Sequence, residues 1–360
     1  MWISLFYVVG GFVLLTVGAE RLVLGAASLG RRFGLSSIVI GLTVLATGTS
    51  APEVAVSVQA SWTGQGEVAL GNVIGSNIFN VLMVLGASAI AGALIVRRQL
   101  VRLDLPVMLG VAILPLVLGW DGILDRVEGV FLLILLVSYL VILLRSTRGG
   151  EDLDPHATPL SWPRSLAWIA LGLAALVVGS NLLVEGAAAI ARGFGISELV
   201  IGLTLVAAGT SLPELATSLV AARRGERDLA VGNVVGSNIF NVLAVLGSAA
   251  VVRDLPIGRG ALTFDLPVMI AVTFVCVPIF WTGGRIARTE GVVLVGYYLL
   301  YLTWLALNAT SHHLQDEFRF AVVAFVLPLT VIGSSFAWWA HRPPDPPPAE
   351  EEHPPPERTP

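Results

Sequence analysis

The sequence predicts an all-helical, polytopic membrane protein built from two inverted five-helix halves with one further helix after them. Three observations carry that prediction. First, the chain is 55% hydrophobic and 13% charged, with a mean hydropathy of +0.83, and apolar runs of about 20 residues are long enough to cross a bilayer. Second, a block of sequence recurs at a constant offset of 161 residues. Third, each copy holds five apolar runs, and an odd number sends the second copy into the membrane from the opposite side.

Charged and Gly/Pro clusters divide the chain into spans near 3–29, 37–61, 68–95, 104–120, 127–145, 165–190, 198–222, 229–252, 263–281, 289–308 and 320–340. The runs are long and lack two-residue alternation, so they read as helices, which satisfy their own backbone in lipid. Residues 1–145 form the first repeat and 165–308 the second. Residues 146–164, with Glu151-Asp-Leu-Asp154 and three prolines, read as a solvated cytoplasmic linker. Residues 309–341 hold a loop and an accessory eleventh helix without a repeat partner, and 342–360 is a disordered Pro/Glu-rich tail.

Every basic residue is arginine. One set of alternate loops, including Arg31, Arg97, Arg98, Arg223, Arg224 and Arg285, is far richer in it than the other, which holds Arg126, Arg192, Arg253, Arg259 and Arg319. The richer side is expected to be cytoplasmic, which places the N-terminus outside and the C-terminus inside. No basic residue precedes the first apolar run, which argues against a cleaved signal peptide. The single Cys276 excludes a disulfide framework within the chain.

The repeat is strongest at Gly41-Leu-Thr-Val-Leu-Ala-Thr-Gly-Thr-Ser-Ala-Pro-Glu53 with Gly71-Asn-Val-Ile-Gly-Ser-Asn-Ile-Phe-Asn80. These match Gly202-Leu-Thr-Leu-Val-Ala-Ala-Gly-Thr-Ser-Leu-Pro-Glu214 and Gly232-Asn-Val-Val-Gly-Ser-Asn-Ile-Phe-Asn241. It extends to Gly18 and Gly179, Gly25 and Gly186, and Asp104-Leu-Pro-Val-Met108 and Asp265-Leu-Pro-Val-Met269. Glu53 and Glu214 fall mid-span, where a charge costs roughly 2.5–3.5 kcal/mol and marks an ion or proton pathway. Pro52 and Pro213 lack an N–H and should break the helix just before each glutamate, releasing the carbonyls of Ala46 and Ala207. Thr49, Ser50, Thr210 and Ser211 lie within a turn of the carboxylates. Ser76 and Asn80, like Ser237 and Asn241, are four apart and share a helix face. The glycines four apart (Gly71 and Gly75, Gly232 and Gly236) suit close helix packing.

All of these donors are hard oxygens. Calcium takes 6–8 of them, whereas zinc or copper favours His or Cys, and the five histidines fall in loops or the tail. Two unit charges about 4 Å apart repel by about 4 kcal/mol at an effective dielectric of roughly 20. An empty, doubly ionised pair must therefore take up a cation or a proton. If only occupied forms reorient, the expected activity is antiport.

At these motifs the sequence resembles the calcium/cation antiporter superfamily, and more closely its Na+/Ca2+ exchanger branch, over roughly 1–308. The resemblance implies ten helices with ions at the midplane, Ca2+ and Na+ as transported ions, and no cofactor. It implies that Glu53, Glu214, Thr49 and Thr210 hold calcium. Sodium sites would add Ser50, Ser76, Ser211, Ser237 and the carbonyls of Ala46 and Ala207, with Asn80 and Asn241 flanking the centre. Family members often carry Asp at one of the two last positions, notably in potassium-dependent relatives. Both are Asn here, which disfavours potassium co-transport.

Na+/Ca2+ exchange in the cell (inner) membrane is thus the leading expectation, with H+/Ca2+ exchange through the same glutamates as the alternative. The many neutral oxygens favour sodium, since a proton needs few. An intramembrane carboxylate enzyme is a remote third reading, without intramembrane histidines or HExxH; no nucleic-acid partner is expected. Six further residues have structural readings. Glu20-Arg21 reads as an adjacent interfacial pair, Asp104 and Asp265 as helix N-caps, and Asn77 and Asn238 as bonding helix backbone.

Overall fold

In the computed structural model, which describes residues 2–146, 160–195, 201, 205, 207–281 and 284–309, helix follows helix almost throughout. In chain order the helices are α1 (Trp2–Arg32), α2 (Ser37–Thr49), α3 (Ala51–Trp62), α4 (Gly66–Ala91), α5 (Leu100–Asp121) and α6 (Arg126–Arg145). After the linker come α7 (Trp162–Gly193), α8 (Leu212–Arg223), α9 (Arg227–Val252), α10 (Ala261–Phe280) and α11 (Arg288–Asn308). Eight of these are long and apolar enough to cross a membrane, or nine if α2 and α3 are one broken span bent by 44°. Residues 147–159 of the predicted linker, most of the predicted span start at 198–206, the predicted accessory helix near 320–340 and the tail lie outside the described residues, and the last residues of the predicted linker, 162–164, already belong to α7.

Burial sorts the helices into an inner and an outer set. The most apolar stretches of α4 and α9 are 78% and 83% buried, against 17–39% for the other long helices. The outer helices turn Trp2, Phe6, Phe12, Ile134, Val137 and Leu171 outward, the faces that lipid covers in a multi-pass membrane protein.

Glycines set the closest contacts. The glycines at 11, 18 and 25 of α1 and at 172, 179 and 186 of α7 are each seven apart: Gly11 meets Gly179 and Gly18 meets Gly172, while Gly25 meets Ser165 and Ile169 of α7 and Gly186 meets Ser4 and Tyr7 of α1. A Cβ at Gly18 would lie 2.9 Å from the Gly172 carbonyl, and one at Gly179 would lie 2.9 Å from that of Gly11. The two long helices therefore run antiparallel with their backbones touching. Further contacts exchange partners between the halves: Gly129 of α6 packs on Gly247 of α9, and Gly291 of α11 packs on Gly86 of α4. Gly232 and Gly236 pack on α2 at Ile38 and Leu42, as the small-residue spacing predicts. Among the described residues, Gly71 and Gly75 meet nothing within 4 Å.

Four two-residue strands, unforeseen in the sequence, make the same exchange. β1 (Leu94–Ile95) pairs antiparallel with β4 (Arg285–Ile286), and β2 (Ile123–Leu124) pairs antiparallel with β3 (Leu255–Pro256). Each pair joins one strand from either half.

Several expectations need correction. Asp104 makes no side-chain cap; its fully buried carboxylate accepts the Tyr139 hydroxyl of α6 at 3.1 Å. Glu20 and Arg21 do not form a local pair: Glu20 meets Arg224 at 3.4 Å, and Arg21 lies 4.7 Å from the ring centre of Trp168. Both partners belong to the other half, beyond the reach of adjacency. At the start of α6, Glu128 closes a capping box with Asp125, both bonds at 2.8 Å.

Candidate ion-binding centre

The centre forms where two helix breaks meet the two inner helices. Between α2 and α3, Ser50 leaves helical geometry at φ −83°, ψ 5°, and Pro52 occupies the first turn of α3. Ser211 does the same before α8 at φ −92°, ψ 6°, with Pro213 following. The proline-induced break thus falls three residues before each glutamate. The Ala46 carbonyl is not released as expected: it accepts the Ser50 N–H at 3.0 Å, leaving only its second lone pair. In the other half the Ser211 N–H bonds the Ala208 carbonyl at 3.2 Å. Ala207 begins the short turn Ala207–Gly209. Pro52 does not remove the bond at Ala46, because the N–H it lacks would serve Gly48, two residues later.

Glu53 and Glu214 are 1% and 0% exposed, and each is held by the opposite half. Ser211 Oγ donates to Glu53 Oε1 at 3.0 Å, and Ser50 Oγ donates to Glu214 Oε1 at 3.0 Å. Thr49 Oγ1 lies 3.3 Å from Asn233 Oδ1, and Thr210 Oγ1 lies 3.4 Å from Asn72 Oδ1.

The remaining predicted residues are buried with spare polar atoms. Among the described residues, Glu53 Oε2, Glu214 Oε2, Ser76 Oγ, Ser237 Oγ, both amide atoms of Asn80 and Asn241 Oδ1 have no hydrogen-bond partner. Buried groups left so are rare and call for an explanation such as an ion or water. At both Asn80 and Asn241 the inner helices widen into a π-helical stretch, Asn80–Leu85 and Asn241–Leu246, a distortion frequent at functional sites. Among the described residues no three His, Cys, Asp or Glu side chains gather, so two carboxylates stand among neutral oxygens. Such a set suits a hard cation.

Some members of the centre escaped the sequence reading. Among the described residues Asn77 and Asn238 bond no helix backbone: their amides point at the sulfurs of Met269 (3.5 Å) and Met108 (3.7 Å). Asn77 Oδ1 also accepts from Asn241 Nδ2 at 3.2 Å. Asn72 and Asn233 were visible only as repeated letters after Gly71 and Gly232. The repetition of Met108 and Met269 at the same offset was the one signal for their part.

A multi-pass helical protein with paired buried carboxylates and hard oxygen donors at two broken helices belongs to the class of cation transporters. The sequence model of the family described as "Sodium/calcium exchanger protein" matches residues 3–145 and 164–307. The chain therefore belongs to the sodium/calcium exchanger family, whose members are cation antiporters. The chain is 41% identical over 317 residues to the putative antiporter CaxA of Alkalimonas amylolytica, covering 84% of this chain and 99% of that one. It is 31% identical over 336 residues to the sodium/calcium exchanger MaX1 of Methanosarcina acetivorans, covering 82% and 96%. The solved sodium-calcium exchanger NCX_Mj, soaked with zero Na+ and Ca2+, superimposes with a TM-score of 0.74 at 36% identity, covering 84% of this chain and 98% of its own.

Proposed function

We propose that the protein exchanges Ca2+ for Na+ by alternating access, with ions held between two inverted repeats in the cell (inner) membrane, N-terminus outside and C-terminus cytoplasmic. The observation that carries this reading is the reciprocal pair of bonds from Ser50 to Glu214 and from Ser211 to Glu53. Two equivalent half-sites, each completed by the other, fit a single centre shared by two like halves. The strand pairs and the contacts of α6 on α9 and α11 on α4 support the same relation.

Glu53, Glu214, Thr49 and Thr210 are the proposed calcium ligands. Ser50, Ser211, Ser76, Ser237 and the carbonyls of Ala46 and Ala207 supply the sodium positions, with Asn80 and Asn241 flanking them. A dication neutralises two carboxylates at once, and so do monovalent ions held by the surrounding hydroxyls. The unpartnered serine and asparagine atoms favour sodium over protons, because a proton needs only the carboxylate it binds.

The test is uptake of radiolabelled Ca2+ into sodium-loaded proteoliposomes, with the sodium gradient present or collapsed and with a proton ionophore. Uptake that follows the sodium gradient supports the proposal. Uptake indifferent to sodium but abolished by the ionophore establishes proton exchange instead.

A further inference from the structure

We propose that Asn72 and Asn233 are positioning residues that turn the hydroxyls of Thr210 and Thr49 toward the ions, each acting across the boundary between the halves. The inference rests on the ion-site reading above. A hydroxyl has one proton and two lone pairs. When its oxygen faces a cation, the proton must go to an acceptor elsewhere. For Thr210 that acceptor is Asn72 Oδ1, 3.4 Å away, and for Thr49 it is Asn233 Oδ1 at 3.3 Å, alongside the Leu45 carbonyl at 3.0 Å.

The amides are held so that their oxygens face the threonines. Asn72 Nδ2 donates to Ser57 Oγ at 2.9 Å and to the Glu53 carbonyl at 3.3 Å. Asn233 Nδ2 donates to Ser218 Oγ at 3.0 Å. Ser57 and Ser218 each lie one turn beyond a glutamate, so an asparagine on an inner helix reads the position of its own half's glutamate helix and passes it to the other half's threonine.

Each threonine also has a competing acceptor, because Thr210 lies beside Glu53 and Thr49 beside Glu214. With its proton on the carboxylate, the hydroxyl spends its directed bond on a ligand and turns its lone pairs aside. With its proton on the asparagine, both the carboxylate and the hydroxyl oxygen face the ion. The asparagines thus set which arrangement the empty centre holds. Groups that orient metal ligands in this way typically change affinity 10–100-fold when removed.

The experiment is a double-mutant cycle in proteoliposomes, reading the half-saturating Ca2+ concentration and the maximal rate separately. Asn72→Ala is expected to raise the half-saturating concentration about 10–100-fold with a maximal rate within about twofold of the parent. In a Thr210→Val background the same substitution should add less than about twofold, since the hydroxyl it orients is gone. Asn233→Ala and Thr49→Val form the matching cycle. Equal effects of Asn72→Ala in both backgrounds, or a lowered rate at unchanged half-saturation, would overturn the proposal. So would failure of both asparagine variants to yield folded protein, because a positioning role leaves assembly intact. Absence of Ca2+ exchange in the parent counts against the exchanger reading, and its persistence in Glu53→Gln against the ion-site assignment, rather than against the part of the asparagines.

Discussion

Ser50 and Glu214 stand 164 residues apart in the chain and 3.0 Å apart in the fold. Their counterparts Ser211 and Glu53 repeat the distance. A hydrogen bond to a charged group contributes about 1.5–3 kcal/mol. Ser50→Ala and Ser211→Ala are therefore each expected to weaken half-saturation by Ca2+ roughly 10–100-fold. Glu53→Gln and Glu214→Gln should abolish Ca2+ uptake into proteoliposomes, and normal transport by either would remove that glutamate from the site.

The strand pairs predict cross-links. Leu94 faces Ile286, and Leu124 faces Leu255, in antiparallel register. Facing Cα atoms in such pairs are about 4.5–5.5 Å apart, within disulfide range. In a Cys276→Ala background, L94C with I286C and L124C with L255C should each oxidise to an intramolecular disulfide. A gel shift after oxidation, reversed by reductant, is the readout; free thiols in both pairs would contradict the register.

Backbone contact between α1 and α7 leaves no room for side chains. Gly18→Leu would drive atoms into the Gly172 carbonyl, at a cost of at least about 1–3 kcal/mol. Gly10→Leu, where a Cβ meets nothing within 4 Å among the described residues, is the control. Thermal unfolding in detergent should show a lowered midpoint for Gly18→Leu alone.

Asp104 accepts a hydrogen bond from Tyr139. Tyr139→Phe leaves a buried carboxyl without its donor and is expected to cost about 1–3 kcal/mol. Asp104→Leu added to Tyr139→Phe should recover much of that loss, since removing both partners leaves no unpaired group. A double variant less stable than Tyr139→Phe would count against the pairing.

Much of the centre was legible because its residues sit in a motif written twice. Glu53 and Glu214 are charges inside apolar runs, and Pro52 and Pro213 mark the breaks beside them. What escaped depends on neighbours brought by the fold. Asn72 gains its meaning from Thr210 and Asn77 from Met269, each across the halves. Asp104 looked like a cap because its partner Tyr139 lies 35 residues away on another helix. The π-helical stretches after Asn80 and Asn241 leave no trace in residue spacing, since the apolar pattern of a fully buried helix has no polar face to shift. The Ala46 carbonyl was misjudged by counting the proline's effect from the wrong residue.

The exchange of strands and helices between the halves bears on how the chain can be divided. Residues up to 146 and from 160 onward are joined by main chain at one place, yet β1 with β4, β2 with β3, α1 with α7, α2 with α9, α6 with α9 and α11 with α4 also join them. Covalent continuity is then a convenience of synthesis rather than a source of cohesion. Two separate polypeptides, made together in one cell, are expected to assemble into the same molecule, while either alone would present half of every interface to lipid.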